Sequence, residues 1–231
     1  MKTVGLVGGI GPESTIEYYR FLVAAYRERV PDGSYPKILI NSIDMTKMLG
    51  LIGAGQLDAV TEYLSAEIAR LAQGGADFAA LASNTPHVVF DALAREAPIP
   101  LISIVEAACG EALRLGYKKV GLFGTRFTMQ GPFYPAVFAR HGVAVVLPAP
   151  EEQTFVHDKY MGELLKGVFL PETRDALLRI ARRMRDEQQI EALVLGGTEL
   201  PLILRDAPDP GIPFLDTTRI HVARILDAMM S

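Results

Sequence analysis

An internal repeat limits how this chain can fold more than any other feature. Ala82-Ser83-Asn84-Thr85 closes one apolar run, and Leu195-Gly196-Gly197-Thr198 closes another 113 residues further on. Val4-Gly5-Leu6-Val7-Gly8-Gly9 is echoed by Val120-Gly121-Leu122-Phe123-Gly124-Thr125 at an offset of 116, and Ile99-Pro100-Leu101-Ile102-Ser103 by Ile212-Pro213-Phe214-Leu215-Asp216 at an offset of 113. Three features therefore recur in one order at nearly one spacing. A period of about 115 residues is too long for a solenoid and suits two domain-sized halves. With 231 residues, 49% of them hydrophobic, the chain has enough apolar surface for a core in each half. The paired motifs point to two half-sites facing one substrate.

Short apolar runs alternate with longer amphipathic segments. The pattern predicts strands over Thr3 to Gly8, Lys37 to Asn41, Phe78 to Ala82, Pro100 to Ser103, Lys119 to Gly124, Val143 to Leu147, Ala192 to Leu195 and Pro213 to Leu215. Runs of four to eight apolar residues suit strands buried on both faces, as in a parallel sheet covered by helices. Helical spacing falls over Glu13 to Arg29, Gln56 to Gln73, Val105 to Leu115, Leu170 to Glu187 and Thr217 to Met229. Pro12 and Pro171, each followed by an acid, are helix-start signals. The expected fold is α/β: two pseudo-symmetric domains, each a mostly parallel four-stranded sheet flanked by helices. Residues 1–100 with 211–231 are expected to form the first domain and 101–210 the second. The last helix, which has no counterpart in a simple two-bead arrangement, crosses back to the first domain in this reading.

A net charge of −4 supplies no general basic field, which argues against nucleic acid or an anionic membrane as the main partner. The single cysteine, Cys109, rules out an intrachain disulfide framework and a multi-cysteine metal site, and it suits a reducing cytosol. The N-terminus enters a strand directly, and no apolar stretch reaches about 18 residues, so a cytoplasmic protein is expected. Gly8-Gly9-Ile10-Gly11 lacks the G-x-G-x-x-G spacing and no Walker lysine follows, so no nucleotide cofactor is expected. His157 and His221 show no paired metal-ligand spacing. Arg179, Arg182, Arg183 and Arg185 share one amphipathic helix with several acids and read as a solvated face.

In open parallel sheets ligands bind beyond the carboxyl ends of strands. Those positions here hold Gly8, Gly9, Gly11 and Glu13, then Asn41 and Asp44, then Ser83, Asn84, Thr85 and His87, then Thr125 and Thr128, and finally Gly197, Thr198 and Glu199. Small hydroxyl and amide residues at helix starts suit a carboxylate ligand.

Gly8-Gly9-Ile10-Gly11-Pro12-Glu13-Ser14-Thr15, Ser83-Asn84-Thr85-Pro86-His87 and Gly196-Gly197-Thr198-Glu199-Leu200-Pro201-Leu202 resemble the three signatures of the aspartate/glutamate racemase superfamily, and the similarity runs nearly end to end. The resemblance implies a homodimeric enzyme that works without pyridoxal phosphate or metal. It also implies an amino acid or dicarboxylate substrate held in the cleft between the domains. Such racemases place one cysteine at each of the two strand ends, so that one thiolate removes the α-proton and the opposite thiol delivers another. Those two catalytic positions are Ser83 and Gly197 here, and two-thiol racemisation is impossible with these residues.

Two ionisable side chains lie close by. Glu199 is a candidate base, or else a helix-terminal acid or a partner for the substrate amine. His87 is a candidate base or a structural residue, and Ser83 a binding hydroxyl, a nucleophile or a helix cap. The resemblance implies that Gly8, Asn84, Thr85, Thr125, Thr128 and Thr198 hold the α-carboxylate and amine. Lys47 and Lys159 are the candidate cations for a distal carboxylate, although lysine lacks the bidentate fork of arginine. Three functions fit: a cofactor-independent enzyme acting at an α-carbon, a catalytically silent amino-acid or carboxylate binder, and a different lyase, isomerase or hydrolase on the same scaffold.

Overall fold

The computed structural model describes residues 1–205, 207 and 210–231. The chain divides into two compact units, one made of Met1–Ile104 with Thr218–Ser231 and the other of Val105–Thr217.

In the first unit the order is β1 (Val4–Gly8), α1 (Pro12–Arg29), β2 (Ile38–Ser42), α2 (Met45–Gly53), α3 (Leu57–Gln73) and β3 (Phe78–Leu81). A 3-10 helix over Thr85–Val89, α4 (Phe90–Glu96) and β4 (Leu101–Ile102) follow. The sheet order is β2-β1-β3-β4, with every pair parallel, Val4 standing opposite Ile38 on one side and Phe78 on the other. All residues of β1 and β3 are buried, as central strands covered on both faces require.

The second unit repeats this plan. Its elements are α5 (Ile104–Arg114), β5 (Lys119–Gly124), α6 (Arg126–Gln130), α7 (Phe133–Ala139), β6 (Ala144–Val146), α8 (Pro150–Gly162) and a 3-10 helix over Leu164–Lys166. Then come α9 (Pro171–Gln188), β7 (Ala192–Gly196), α10 (Leu200–Leu204), β8 (Phe214–Asp216) and α11 (Thr217–Met230), the last of which lies mainly in the first unit. The sheet order β6-β5-β7-β8 is again parallel throughout. The fold is therefore α/β with two four-stranded sheets, and both are wholly rather than mostly parallel among the described residues.

The repeated glycines have a packing reason. A Cβ on Gly5 of β1 would lie 3.0 Å from Cβ atoms of Leu71 and Ala76, and one on Gly121 of β5 would lie 2.6 Å from Ile190 Cδ1. In each unit the helix that precedes the second central strand, α3 through Leu71 and α9 through Met184, packs directly onto the backbone of the first.

The first core joins Val4, Leu6, Tyr18, Leu22 and Phe78 to Val222, Ile225, Leu226 and Met229 of α11. A buried polar chain accompanies it. The Ile102 carbonyl can only accept, so His221 Nε2–H donates to it at 3.0 Å, which leaves Nδ1 to accept from the Tyr18 hydroxyl at 2.8 Å. The second core joins Phe123, Tyr160, Leu164, Leu177, Met184, Leu193 and Leu195.

Six helices lie outside the expected set: α2, α4, α6, α7, α8 and α10. Most are too short to display a helical period. α8 carries polar residues around most of its circumference, so it shows little amphipathic contrast. β4 and β6 are shorter than expected. Arg183 departs from a purely solvated face: its guanidinium clasps Glu152 of α8 through Nε at 2.7 Å and Nη2 at 2.6 Å. No described helix is long and apolar enough to cross a membrane.

Leu226 is fully buried in the first core. Leu226→Ala is expected to destabilise the protein by about 2–5 kcal/mol, read from the shift of the urea midpoint. A loss within experimental error would show that α11 is not an integral part of that core.

Candidate functional site

Each unit gathers polar residues just beyond the carboxyl ends of its central strands. In the first unit the turn after β1 depends on Gly9, whose φ of +80° lies in the left-handed region and whose Cβ would fall 2.6 Å from the Ile43 carbonyl oxygen. Its N–H donates to Thr15 Oγ1 at 2.9 Å. Gly8 is equally constrained, since a Cβ there would lie 2.6 Å from Thr15 Cγ2. Ser14 Oγ donates to the carbonyls of Gly11 and Ala82, tying this turn to the end of β3.

Beyond β3, Ser83, Asn84 and Thr85 are all buried although polar. Such residues are retained inside only with hydrogen-bonding partners or a functional reason. His87 is 2% exposed, stacks on Phe90 with ring centroids 4.8 Å apart, and uses Nε2 to accept the Ile104 N–H at 3.2 Å. Burial pushes its pKa down to about 3, assisted by the nearby His221. A neutral imidazole already engaged by backbone is a poor general base at neutral pH, and the geometry gives His87 the job of holding the β3 turn against the start of α5.

At the end of β2, Asn41 Nδ2 donates to Glu67 Oε2 at 2.7 Å. Burial raises the Glu67 pKa, but the Arg70 and Asn41 hydrogen bonds, with the charges of Arg70 and Lys47, outweigh it and hold the carboxyl below its ordinary value. Asp44 caps α2, accepting from the N–H groups of Thr46 and Lys47. The Lys47 ammonium is exposed and lies over the Tyr63 ring, 4.3 Å from its centroid.

In the second unit Thr125 caps α6: its Oγ1 accepts the Thr128 N–H at 3.2 Å and lies 3.2 Å from the Thr128 hydroxyl. Beyond β7 come Gly197, Thr198 and Glu199, all buried. Thr198 Oγ1 donates to Glu199 Oε2 at 3.0 Å, and the Tyr160 hydroxyl from α8 donates to the same oxygen. The Tyr160 ring occupies the space a side chain at residue 197 would need. A Cβ there would overlap ring carbon Cε2, with Cζ at 3.0 Å and the phenolic oxygen at 3.1 Å. Burial, then the charge and hydrogen bond of Glu199, push the Tyr160 pKa well above its ordinary value, so the phenol keeps its proton and acts as donor.

Lys159, one residue before Tyr160, pairs with Glu163, which also accepts from Thr173 Oγ1 at 2.6 Å. Those two hydrogen bonds hold the Glu163 carboxyl below its ordinary value. The first unit thus brings together Gly8, Ser83, Asn84, Thr85 and His87, with Lys47 beyond the neighbouring strand. The second groups Gly197, Thr198 and Glu199 with Tyr160, and places Thr125 and Thr128 after the adjacent strand. Tyr160 was not among the residues expected from sequence. The available signal was the glycine at 197, which leaves room for a large group from elsewhere. No group of three or more His, Cys, Asp or Glu side chains among the described residues is placed to hold a metal.

The structure is thus two repeated parallel α/β units, each with small polar residues buried beyond its central strands. The sequence model of the Asp/Glu/hydantoin racemase family matches residues 7–225, and the chain belongs to that family. It is 24% identical to the broad specificity amino-acid racemase RacX of Bacillus subtilis, over 93% of this chain and 92% of that protein. Among solved structures, an aspartate racemase homologue from Pyrococcus horikoshii is 32% identical with a TM-score of 0.86. A candidate Asp/Glu racemase from Yersinia pestis is 30% identical with a TM-score of 0.90, and both similarities cover the whole of each chain.

Burial holds the folded pKa of His221 at about 4 and of His87 at about 3, below the ~6.5 of an unfolded histidine. Between those values the unfolded chain binds more protons than the folded one, so stability is full above pH ~6.5 and declines as pH falls. The urea midpoint should drop from pH 7 to pH 5, and drop less in His221→Gln. An equal pH response in the variant would remove His221 from this linkage.

Proposed function

We propose that this protein is a cofactor-independent enzyme that binds a small amino acid or dicarboxylate and acts at its α-carbon, with both strand ends serving one substrate. The observation that supports it best is the matched placement of buried polar residues beyond two equivalent central strands, Ser83-Asn84-Thr85 after β3 and Gly197-Thr198-Glu199 after β7. Membership of the racemase family and the likeness to a broad specificity amino-acid racemase favour α-carbon chemistry on such a ligand.

In this reading Asn84, Thr85 and Thr198, with the backbone around Gly8, Thr125 and Thr128, hold the α-carboxylate and amine. Lys47 takes a distal carboxylate where there is one, because Lys159 is already neutralised by Glu163. Ser83 is a hydrogen-bonding group at one strand end, Gly197 leaves the other without a side chain of its own, and Glu199 is the carboxylate through which a proton leaves and returns. His87 positions Ser83 rather than titrating. Neither pyridoxal phosphate nor a metal enters the step. A cytoplasmic homodimer completes the proposal, and light scattering of the purified protein tests its mass.

Proton NMR in D₂O, with the L- and D-enantiomers of aspartate, glutamate and alanine supplied separately, is expected to show loss of the α-proton signal. Glu199→Gln should slow that loss by roughly 10²–10⁴-fold. If the wild-type protein exchanges none of these α-protons at high concentration, the proposed activity is wrong for these substrates.

A further inference from the structure

We infer that Tyr160 is the proton-transferring residue of the second strand end and, with no comparable pair beside Ser83 among the described residues, that it exchanges the α-proton from one face of the substrate only. This rests on the proposed α-carbon chemistry and adds its stereochemical course.

The geometry beyond β7 carries the inference. Gly197 leaves no side chain between the strand end and whatever lies above it, and the Tyr160 ring fills that volume. Its phenolic oxygen sits 3.1 Å from where a Cβ at 197 would be, within the reach of any side chain that position could have carried. The ring is 4% exposed and packed into the second core, so it is not a swinging surface group. Glu199, itself 1% exposed, accepts from both the Tyr160 and Thr198 hydroxyls at a single oxygen. A buried carboxylate is costly to retain, and two donors converging on one of its oxygens orient it toward the phenol.

The transfer balances without any added reactant. As the Cα–H bond breaks, its proton forms a bond to the Tyr160 oxygen, while the original phenolic proton passes to Glu199 Oε2. The electron pair of the broken bond is delocalised into the substrate carboxylate. Reversal returns a proton, or a deuteron once the Glu199 carboxyl has exchanged with solvent, to the same face of the carbon. The raised pKa of Tyr160 fits this concerted passage, because a free phenolate is not populated at neutral pH. The first strand end offers a serine hydroxyl, far too weak an acid to act alone, and His87 is held neutral with Nε2 committed to the Ile104 N–H.

The test follows a single enantiomer of each amino acid in D₂O by proton NMR, with chiral chromatography in parallel, for the wild-type protein and Tyr160→Phe. The Phe variant keeps the ring that fills the site, and its melting temperature reports whether the fold is kept. Calorimetric titration with the same amino acid separates binding from transfer. Expected are α-deuteration with retained configuration in the wild type, exchange at least 100-fold slower in Tyr160→Phe, and binding changed less than threefold. Wild-type exchange at an undiminished rate in Tyr160→Phe, or accumulation of the opposite enantiomer at the rate of exchange, overturns this inference and leaves the proposed α-carbon activity standing. No exchange in the wild type overturns both.

Discussion

A parallel strand buried on both faces has no place for a polar side chain along its length, and that constraint organises both units. β1, β3 and β7 are buried at every residue, so groups able to bind or react can appear only where these strands run out. The close approach of helices onto Gly5 and Gly121 enforces this by leaving no room above the central backbone. The turns at these strand ends lead into helices whose first N–H groups have no intrahelical partner, and Thr125 after β5 shows the local solution by capping α6 with its own hydroxyl. Binding chemistry at the strand ends is thus a consequence of how the core is covered.

Repetition of the frame does not extend to its chemistry. Beyond β3, Ser83 stands beside a histidine that burial keeps neutral and that serves the backbone of Ile104. Beyond β7, a residue without a side chain is flanked by a carboxylate, a threonine and a tyrosine joined by hydrogen bonds. In a low-dielectric setting such a network is strong only when its members are satisfied together, and Glu199 depends on donors from two different elements. Gly197 and Tyr160 are therefore structurally coupled: the smallness of one makes room for the other.

Much of this frame was legible in the chain. The apolar runs ending at Gly8, Ala82, Gly124 and Leu195 announced central strands, and the recurrence of Ser83-Asn84-Thr85 and Gly197-Thr198 at one spacing marked where to look. The short helices α2, α4, α6, α7 and α10 were not legible, because one or two turns cannot display a period. α8 was hidden for another reason, its polar residues being spread around the helix. Arg183 was read with Arg179, Arg182 and Arg185 as one solvated face, but its bidentate grip on Glu152 depends on where α8 packs, and Arg185 donates to the Gly211 carbonyl. Lys159 resembled a ligand cation until its pairing with Glu163 was visible.

The sequence by itself determined the twofold α/β plan, the parallel strands and the polar residues that close them, since each is written in periodicity, local composition or repetition over adjacent residues. Only the tertiary structure decided that His87 is spent on a backbone N–H and that Tyr160 sits over Gly197 with its hydroxyl on Glu199. Tyr160 and Glu199 are 39 residues apart and lie on different elements. Their meeting is set by how α8 packs against β5, the sheet neighbour of β7, a result of side-chain volumes fitting together that no local pattern encodes.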